Sequence, residues 1–464
     1  MKNEKKPNVL CIMSDEHTWN ILGCYGNTIV KTPNLDRLAQ NGALFANCYT
    51  PSPLCVPARL AFTAGQYASK CGAWSNSFSL ASDDWPSSLF HRLTGAGYEC
   101  VLGGKMHYAR DRRYGFTTDL VPKHNSGAPK GIHYRVDVNS DAHKNAEGRL
   151  SERFAEFGVM DDCRNQIHDR EVTQKCGEFL KSRKKGDKPF FLLAGYIAPH
   201  FPIVAPEEFD IYKDKVPMPV IPDGHLENLP MNCKVLRRAF RVENVPDEIV
   251  KRGRELYYGF VTWLDNEIGK LLAALGDSEE AANTIVIYTT DHGENLGEHG
   301  MWWKNNMYDT AAKIPLIIGF PDKRHAGKRI EGVCNMLDLV PTIAEWCGAE
   351  ASPDWDGDSL TGLVEGGSGW RDYAVSEYHA QAIAAGHCMI RRGKYKYVYY
   401  SKIDGNHPAE KQLFDLDADP GEFNNLAGDP QQAGLIKELH ALLVKELGRD
   451  PEEIETEIRN AIQK

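Results

Sequence analysis

The chain of 464 residues contains no apolar run near the ~20 residues that a membrane-spanning helix requires. Its basic start, MKNEKK, leads into an apolar stretch from Val9 to Met13 that is too short for a signal-peptide core, and no small-residue cleavage site follows. The sequence as given therefore reads as cytoplasmic, with no membrane partner. Positive charge is also in short supply. Lys and Arg total 54 against 64 Asp and Glu, a formal net charge of -10, which argues against a general nucleic-acid binder. A small anionic substrate stays open, because local charge and not total charge decides what enters a pocket. The 12 cysteines form no C-x-x-C pair, so neither a zinc ribbon nor a disulfide framework is indicated, and most read as small buried apolar residues. No G-x-G-x-x-G follows the first apolar run, so a dinucleotide-binding enzyme is not expected. Internal repeats and low-complexity segments are missing as well.

What is present is an alternation of short apolar runs with helix-like segments. NVLCIM, YECVLGG, KPFFLLAGY, NTIVIYTT and IPLIIGF read as buried strands of a parallel sheet covered on both faces. In KTPNLDRLAQNG, Thr32 is placed to cap a helix, Pro33 to take its first position and Gly42 to end it. From Asp247 to Leu275 the residues Ile249, Leu256, Phe260, Leu264, Ile268, Leu271 and Leu275 form one apolar stripe of a long helix. Residues 109–165 are polar, and residues 201–245 are rich in proline; both resist periodic reading and are candidate substrate loops. After Trp370 the texture changes to YAVSEYH, HCMIRRGKYKYVYY and KQLFDL, strands of a small antiparallel sheet, followed by amphipathic helix. The expected class is α/β: a large, mostly parallel sheet sandwiched by helices over residues 1–370, with a smaller C-terminal α+β subdomain over 371–464.

Four of the runs end in polar chemistry. VLCIMSDEH reaches Asp15, Glu16 and His17; ECVLGGKMH reaches Lys105 and His107; FFLLAGYIAPH reaches His200; TIVIYTTDH reaches Asp291 and His292. Ligands of open α/β sheets bind at the carboxyl ends of the strands, so a parallel sheet would gather all of these on one edge. Singly, such an Asp is usually a turn former and such a His a structural residue. Jointly they suggest a divalent cation, for which Asp15, Glu16 and Asp291 are hard oxygen ligands and His292 a softer one. Lys105, Lys304 and Arg59 would place positive charge around an anionic group, which together with a metal suits a tetrahedral oxyanion.

The stretch TPSPLCVPARLAFTAGQ sets Cys55 beside Pro57 and near Arg59, where a helix begins. A helix N-terminus and a nearby cation favour a reactive thiol. A thiolate is nevertheless a poor ligand for a hard cation, and thiol attack on sulfate or phosphate is uncommon. CVPAR resembles the signature of the type I, formylglycine-dependent sulfatases of the alkaline phosphatase superfamily, and the likeness runs from NVLCIMSDEH to LFDLDADPGEFNNLAGDP. The resemblance implies an alkaline phosphatase-like fold and a sulfuric ester hydrolase. It implies that a maturation enzyme oxidises Cys55 to formylglycine, which then serves as nucleophile and metal ligand. Asp15, Glu16, Asp291 and His292 match the remaining metal positions, with calcium the first choice and manganese or magnesium the alternatives. Arg59 would hold the hydrated aldehyde, and Lys105, His107, His200 and Lys304 match catalytic residues around the sulfate. Glu16 stands where the family usually has Asp, His292 where many members have Asn, Ala58 where Ser is frequent and Ala64 where Thr is usual. Tyr308 and Asp309 replace an aromatic-Glu pair, and KIP replaces Arg-Val-Pro.

SPLCVPARLAF, VLGGKMHY and CMIRRGKYKYVYY look closest to the branch of choline sulfatases and phosphonate monoester hydrolases. Residues 109–165 hold no tryptophan-rich stretch to cage a trimethylammonium group, which disfavours choline sulfate. The expected substrate is a sulfate monoester of a sugar or a small organic alcohol. Trp302 and Trp303 are candidates to stack on a ring; Tyr108 and Arg112, with Arg110, Arg113, His124 and His133, are candidates for polar contacts. A phosphonate or phosphate ester hydrolase with the same nucleophile, and a non-catalytic anion-binding relative with unoxidised Cys55, are the alternatives. The composition also permits a homo-oligomer.

Overall fold

The computed structural model describes residues 6–122, 135–138 and 151–462. Eight strands build the main sheet: β1 (Asn8–Asp15), β2 (Gly42–Tyr49), β3 (Glu99–Gly104), β4 (Thr118–Asp119), β5 (Phe190–Pro199), β6 (Thr284–Thr290), β7 (Lys313–Gly319) and β8 (Lys328–Asn335). Their spatial order is β8-β2-β7-β6-β1-β5-β3-β4. The central strand β1 pairs in parallel with β5 and β6, and every residue of all three is buried. Burial on both faces explains why these strands read as continuous apolar runs and not as alternating ones.

IPLIIG runs against expectation. β7 is antiparallel to both of its neighbours, β6 and β2. The chain leaves β6 at its carboxyl end, loops through residues 291–312 and re-enters beside it from the same edge. A return without a crossover helix has to run antiparallel. β2 and β8 were not anticipated from the sequence. Gly42 does not end a helix: α1 (Pro33–Gln40) stops at Asn41, and Gly42 opens β2. A Cβ there would lie 2.3 Å from the Ile318 carbonyl oxygen of β7, so strand pairing and not helix termination demands the glycine. Thr32 makes no cap bond to the α1 backbone; its hydroxyl accepts the Gly23 N–H and donates to Asp36.

Three helices position the site: α2 (Cys55–Ala64), α3 (Arg164–Ser182) and α4 (Asp247–Gly276). The apolar stripe of α4 is core as expected from Leu256 onward, with Phe260, Leu264, Ile268 and Leu271 fully buried beside β1 and β5 residues and Leu256 fully buried in a neighbouring cluster; Ile249, in the first turn, is half-exposed. Each such side chain contributes about 1.5–3 kcal/mol.

A second, antiparallel sheet follows, in the order β9 (Tyr373–Tyr378), β10 (His387–Arg392), β11 (Tyr395–Tyr400) and β12 (Glu410–Asp415). Helix α5 (Ala433–Leu447) covers one face through Leu439 and Leu443, and α6 (Pro451–Ile462) adds Ile454 and Ile458. Buried charge ties this sheet to the larger one. Lys396 of β11 lies 2.8 Å from Asp309 and 2.6 Å from Glu422, and Tyr49 of β2 donates to Asp309. Glu377 N–H donates to the Pro51 carbonyl, and the Asn305 amide donates to the Tyr378 hydroxyl. The small sheet thereby braces the loops that precede Cys55 and follow Lys304.

All 12 cysteines are free thiols, and all but the half-buried Cys24 are buried. Among the described residues no helix is long and apolar enough to cross a membrane.

Candidate active site

The carboxyl ends of β1, β3, β5 and β6 bring Asp15, Lys105, His200 and Asp291 to one edge of the sheet, and α2 points its first residue, Cys55, into the middle of them. Leu54, the residue before α2, offers no side-chain cap, and an Asn76 carboxamide oxygen accepts the Val56 N–H instead. Every residue of α2 is buried, so Cys55 is fixed by packing along the whole helix. The helix N-terminus also lends its positive end to whatever anion forms beside residue 55.

Asp15, Cys55, Asp291 and His292 each present one ligand atom, and these atoms all lie within 4.8 Å of one another. Cys55 Sγ is 3.2 Å from His292 Nε2 and 3.8 Å from Asp15 Oδ1. His292 donates from Nδ1 to the Gly293 carbonyl, which leaves Nε2 as the lone-pair donor facing the cluster. Gly293 is required there: a Cβ would meet the Thr310 carbonyl oxygen at 2.0 Å.

Arg59, one turn along α2 and wholly buried, clamps the two aspartates. Its Nε donates to Asp291 Oδ2 and its Nη2 to Asp15 Oδ2, both at 2.8 Å, while Nη1 donates to the Lys105 carbonyl at 2.7 Å. Lys105 Nζ reaches Asp15 at 2.7 Å, and Lys304 Nζ reaches Glu16 at 2.7 Å. His200 Nε2 faces Glu16 Oε2 at 3.2 Å, and its Nδ1 donates to the Phe201 carbonyl. Glu16, His107, Trp303 and Asn305 hold positive φ of 64°, 61°, 65° and 81°. Asparagine tolerates that region, but Glu16, His107 and Trp303 there represent stored strain of about 1–3 kcal/mol each.

Burial shifts these groups strongly. It pushes Asp15 up, but Lys105, His200 and Arg59 overcome that and hold its carboxyl well below the usual range. Asp291 moves the other way, raised by burial against the pull of Arg59. Burial, reinforced by Lys105, lowers His107 to about 3, and burial with Lys304 and Lys105 keeps His200 well below 6.5. Burial would lower His292 too, yet Asp291 and Cys55 lift it to about 9. A cation on the same carboxylates would compete directly with that proton.

Glu16 stays within the site: its Oε2 lies on Lys304, and with Asp15 and His200 it forms a second group of ligand atoms all within 4.8 Å of one another. The other candidates fall elsewhere. Trp302 and Trp303 do not offer an open stacking face: they are 2% and 0% exposed and enclosed by Phe154, Phe157 and Phe240. Tyr108 is 1% exposed and shares its hydroxyl with Thr63, so it too is wall and not contact surface. Arg112 is half-exposed in a surface turn, 3.9 Å from Asp111. His124 and His133 lie outside the described residues.

Two residues of the site escaped sequence reasoning. Glu294 accepts the Trp303 N–H through Oε1, and burial beside Glu16 holds its carboxyl well above the normal range. Its only signal is its place in DHGE, four residues past the end of β6. Arg153 stacks on Phe201 and Trp303, and its polar surroundings in the sequence carry no signal at all.

A family model described as sulfatase matches residues 7–349, and one described as N-sulphoglucosamine sulphohydrolase, C-terminal, matches residues 297–449. The chain is 33% identical over 448 residues to the choline-sulfatase of Rhizobium meliloti, covering 92% of this chain and 83% of that protein. A solved structure described as a complex with its substrate D-glucosamine-2-N,6-O-disulfate superposes with a TM-score of 0.75 at 25% identity, covering 97% of this chain and 100% of the other. The phosphonate monoester hydrolase of Agrobacterium radiobacter shares the fold, with a TM-score of 0.73 at 23% identity and 95% coverage of both chains. Sequence, fold and the cluster at the strand ends converge: the chain belongs to the sulfatase family.

Proposed function

We propose that this sulfatase hydrolyses a sulfate monoester of a sugar or small organic alcohol, with Cys55 oxidised to formylglycine and a divalent cation, calcium in the first place, held by Asp15, Asp291, His292 and residue 55. The observation that carries the reading is the convergence of four ligand atoms at the start of α2, with Arg59, Lys105 and Lys304 directed at the same spot. The residues fit a hard cation. Two carboxylates and one imidazole are suitable donors, and Glu16 adds a further buried carboxylate that groups with Asp15 and His200 beside them. The sulfur is the misfit, and its atom marks where the oxygens of the oxidised side chain would stand.

When present, the hydrated aldehyde supplies an oxygen nucleophile and the cation lowers its pKa. The chain's own residues do the rest. Lys105 and Lys304 bind the ester oxygens and spread the charge that grows during attack. Arg59 keeps Asp15 and Asp291 ionised and aimed. His200 protonates the leaving alcohol from Nε2, while His107 takes a proton from residue 55 to expel sulfate. In the free protein burial and the lysines keep both imidazoles neutral. A bound anion between those lysines raises both pKa values, so substrate binding itself prepares the proton donor.

Peptide mass spectrometry after co-expression with a formylglycine-generating enzyme tests the nucleophile: the aldehyde is ~18 Da lighter than the thiol. A Cys55 that stays a thiol sinks the catalytic reading and leaves an anion-binding relative. A panel of sulfated saccharides and small sulfate esters, each paired with a phosphonate ester, then tests the substrate. The likeness of fold to a phosphonate monoester hydrolase makes that second ester class the competing outcome.

A further inference from the structure

We infer that Arg153 recognises a second anionic group, a carboxylate or a further sulfate, on the alcohol portion of the substrate; the inference rests on the sulfate-ester reading above. Arg153 sits in the short turn Ser151–Glu156. Its guanidinium carbon lies 3.3 Å from the centre of the Phe201 ring and 5.2 Å from that of Trp303. The same Phe201 ring packs on the His200 imidazole with centroids 3.9 Å apart and lies 4.9 Å from Lys304 Nζ. One aromatic ring therefore couples Arg153 to the proposed proton donor and to a sulfate-holding lysine. Because His200 serves the leaving oxygen, its side of the pocket is where the alcohol must lie.

The guanidinium is stacked and half-buried. Among the described residues no hydrogen bond and no carboxylate within ion-pair distance engages it, and Glu16, Glu294 and Glu156 act on its charge only from farther away. Stacking uses the faces of the guanidinium plane and leaves its five N–H donors edge-on. A second donor nearby also lacks an acceptor among the described residues: the indole N–H of Trp303, on one of the two rings flanking Arg153, is buried and without a partner there. Arg153 is half-buried and water can reach its donors, so the desolvated donor of the two is the Trp303 N–H, which is costly unless a ligand supplies an acceptor. Charge sets the class of ligand. A fixed cation beside His200 repels an alcohol that itself carries a cation, such as choline, and attracts one bearing an anion. Structural stacking alone is the competing account, and a ratio of rates separates the two.

The test compares phenyl sulfate with 3-carboxyphenyl sulfate, whose leaving phenols differ little in acidity, using matured wild type, Arg153→Gln and Arg153→Lys. Wild type is expected to favour the carboxylated ester in kcat/KM on the order of ten- to a hundredfold, the range of a charge-assisted hydrogen bond. Arg153→Gln should bring that ratio to about one, and Arg153→Lys should restore part of it. A ratio near one in wild type, or one that Arg153→Gln leaves unchanged, overturns the inference while the sulfatase reading stands. If matured wild type turns over neither aryl ester, the saccharide panel decides the catalytic reading, and calorimetric titration of the same two esters into Cys55→Ala protein decides the role of Arg153. Tighter binding of the carboxylated ester that Arg153→Gln abolishes supports it; equal binding of the two esters overturns it.

Discussion

Replacing Arg59 by methionine should destabilise the protein strongly, and the size and pH dependence of the loss follow from the contacts. The guanidinium is fully buried and bonds Asp15, Asp291 and two main-chain carbonyls, those of Ser14 and Lys105. Removing one partner of a buried ion pair costs about 3–5 kcal/mol. Asp15 keeps Lys105 at 2.7 Å, whereas Asp291 keeps the backbone N–H groups of Glu16 and His292 and a longer contact of 3.6 Å with the His292 imidazole. The uncompensated charge therefore falls mainly on Asp291, and a loss of about 3–4 kcal/mol is expected near neutral pH. The sign with pH is fixed by the same residue. Burial already raises the folded-state pKa of Asp291, with Arg59 the largest opposing influence. Without Arg59 that pKa climbs further, and protonation removes the charge that needs a partner. The deficit is thus largest at alkaline pH and shrinks on acidification. Urea unfolding of wild type and Arg59→Met, at about pH 8 and about pH 5.5, measures it. Both proteins should be made without the maturation enzyme, so that any part Arg59 plays in directing oxidation of Cys55 does not enter. A deficit under about 1 kcal/mol at the higher pH, or one that grows on acidification, would refute the assignment of Arg59 as the clamp on Asp291.

Other perturbations separate bracing from chemistry. Lys396→Met should cost about 3–5 kcal/mol in urea unfolding, because it strands the buried carboxylates of Asp309 and Glu422, and should lower kcat by loosening the loop that carries Lys304. His17 is buried and lowered to about 4, chiefly by desolvation, with Nε2 donating to the Ile21 carbonyl. The unfolded chain binds that proton from about pH 6.5 downward and the folded one does not, so stability is lost as pH falls, by about 1.4 kcal/mol per unit until the folded pKa is reached. His17→Gln should make the acid limb of the stability profile shallower by that slope; an unchanged slope counts against a neutral buried His17. Gly42→Ala drives a methyl into the Ile318 carbonyl and should cost about 1–3 kcal/mol, read as a lower denaturation midpoint without change in the reaction's pH profile. Chelation of the matured protein should abolish activity and lower the unfolding midpoint, by about 2.7 kcal/mol if the cation had been present at a hundredfold its Kd; a midpoint indifferent to chelator and to added calcium would speak against the proposed site.

Much of the sheet was legible because fully buried strands have no choice of residue. NVLCIM, KPFFLLAGY and NTIVIYTT sit at the centre with both faces covered, so each is an unbroken apolar run. The cluster was legible for the same reason, one step later: a parallel sheet has one carboxyl edge, and whatever polar residue ends each strand must arrive there. The direction of β7 was not legible, since an apolar run has no polarity of its own. Its orientation is set by the loop of residues 291–312, which returns without a crossover. β2 was hidden by a glycine whose meaning is spatial. Gly42 looks like a helix stop in sequence, and only the Ile318 carbonyl beside it reveals why no side chain fits.

The tryptophans show where residue type misleads about role. Two adjacent indoles before Lys304 suggest a stacking platform, yet Phe154, Phe157 and Phe240 enclose them and make them part of the wall. That wall has a purpose for its neighbour. Trp303 holds a left-handed backbone conformation, as does Asn305, and the lysine between them is thereby turned toward Glu16 and away from the solvent. Glu16 and His107 hold the same conformation on the opposite side of the pocket. A left-handed turn reverses the chain within one residue and lets consecutive side chains face one small volume, at a cost that packing elsewhere must cover. Sequence records which residues can donate, coordinate or titrate. The torsions that aim them are recorded only in the enclosing contacts: aromatic packing behind Lys304, and the small sheet that braces Asn305 and Asp309.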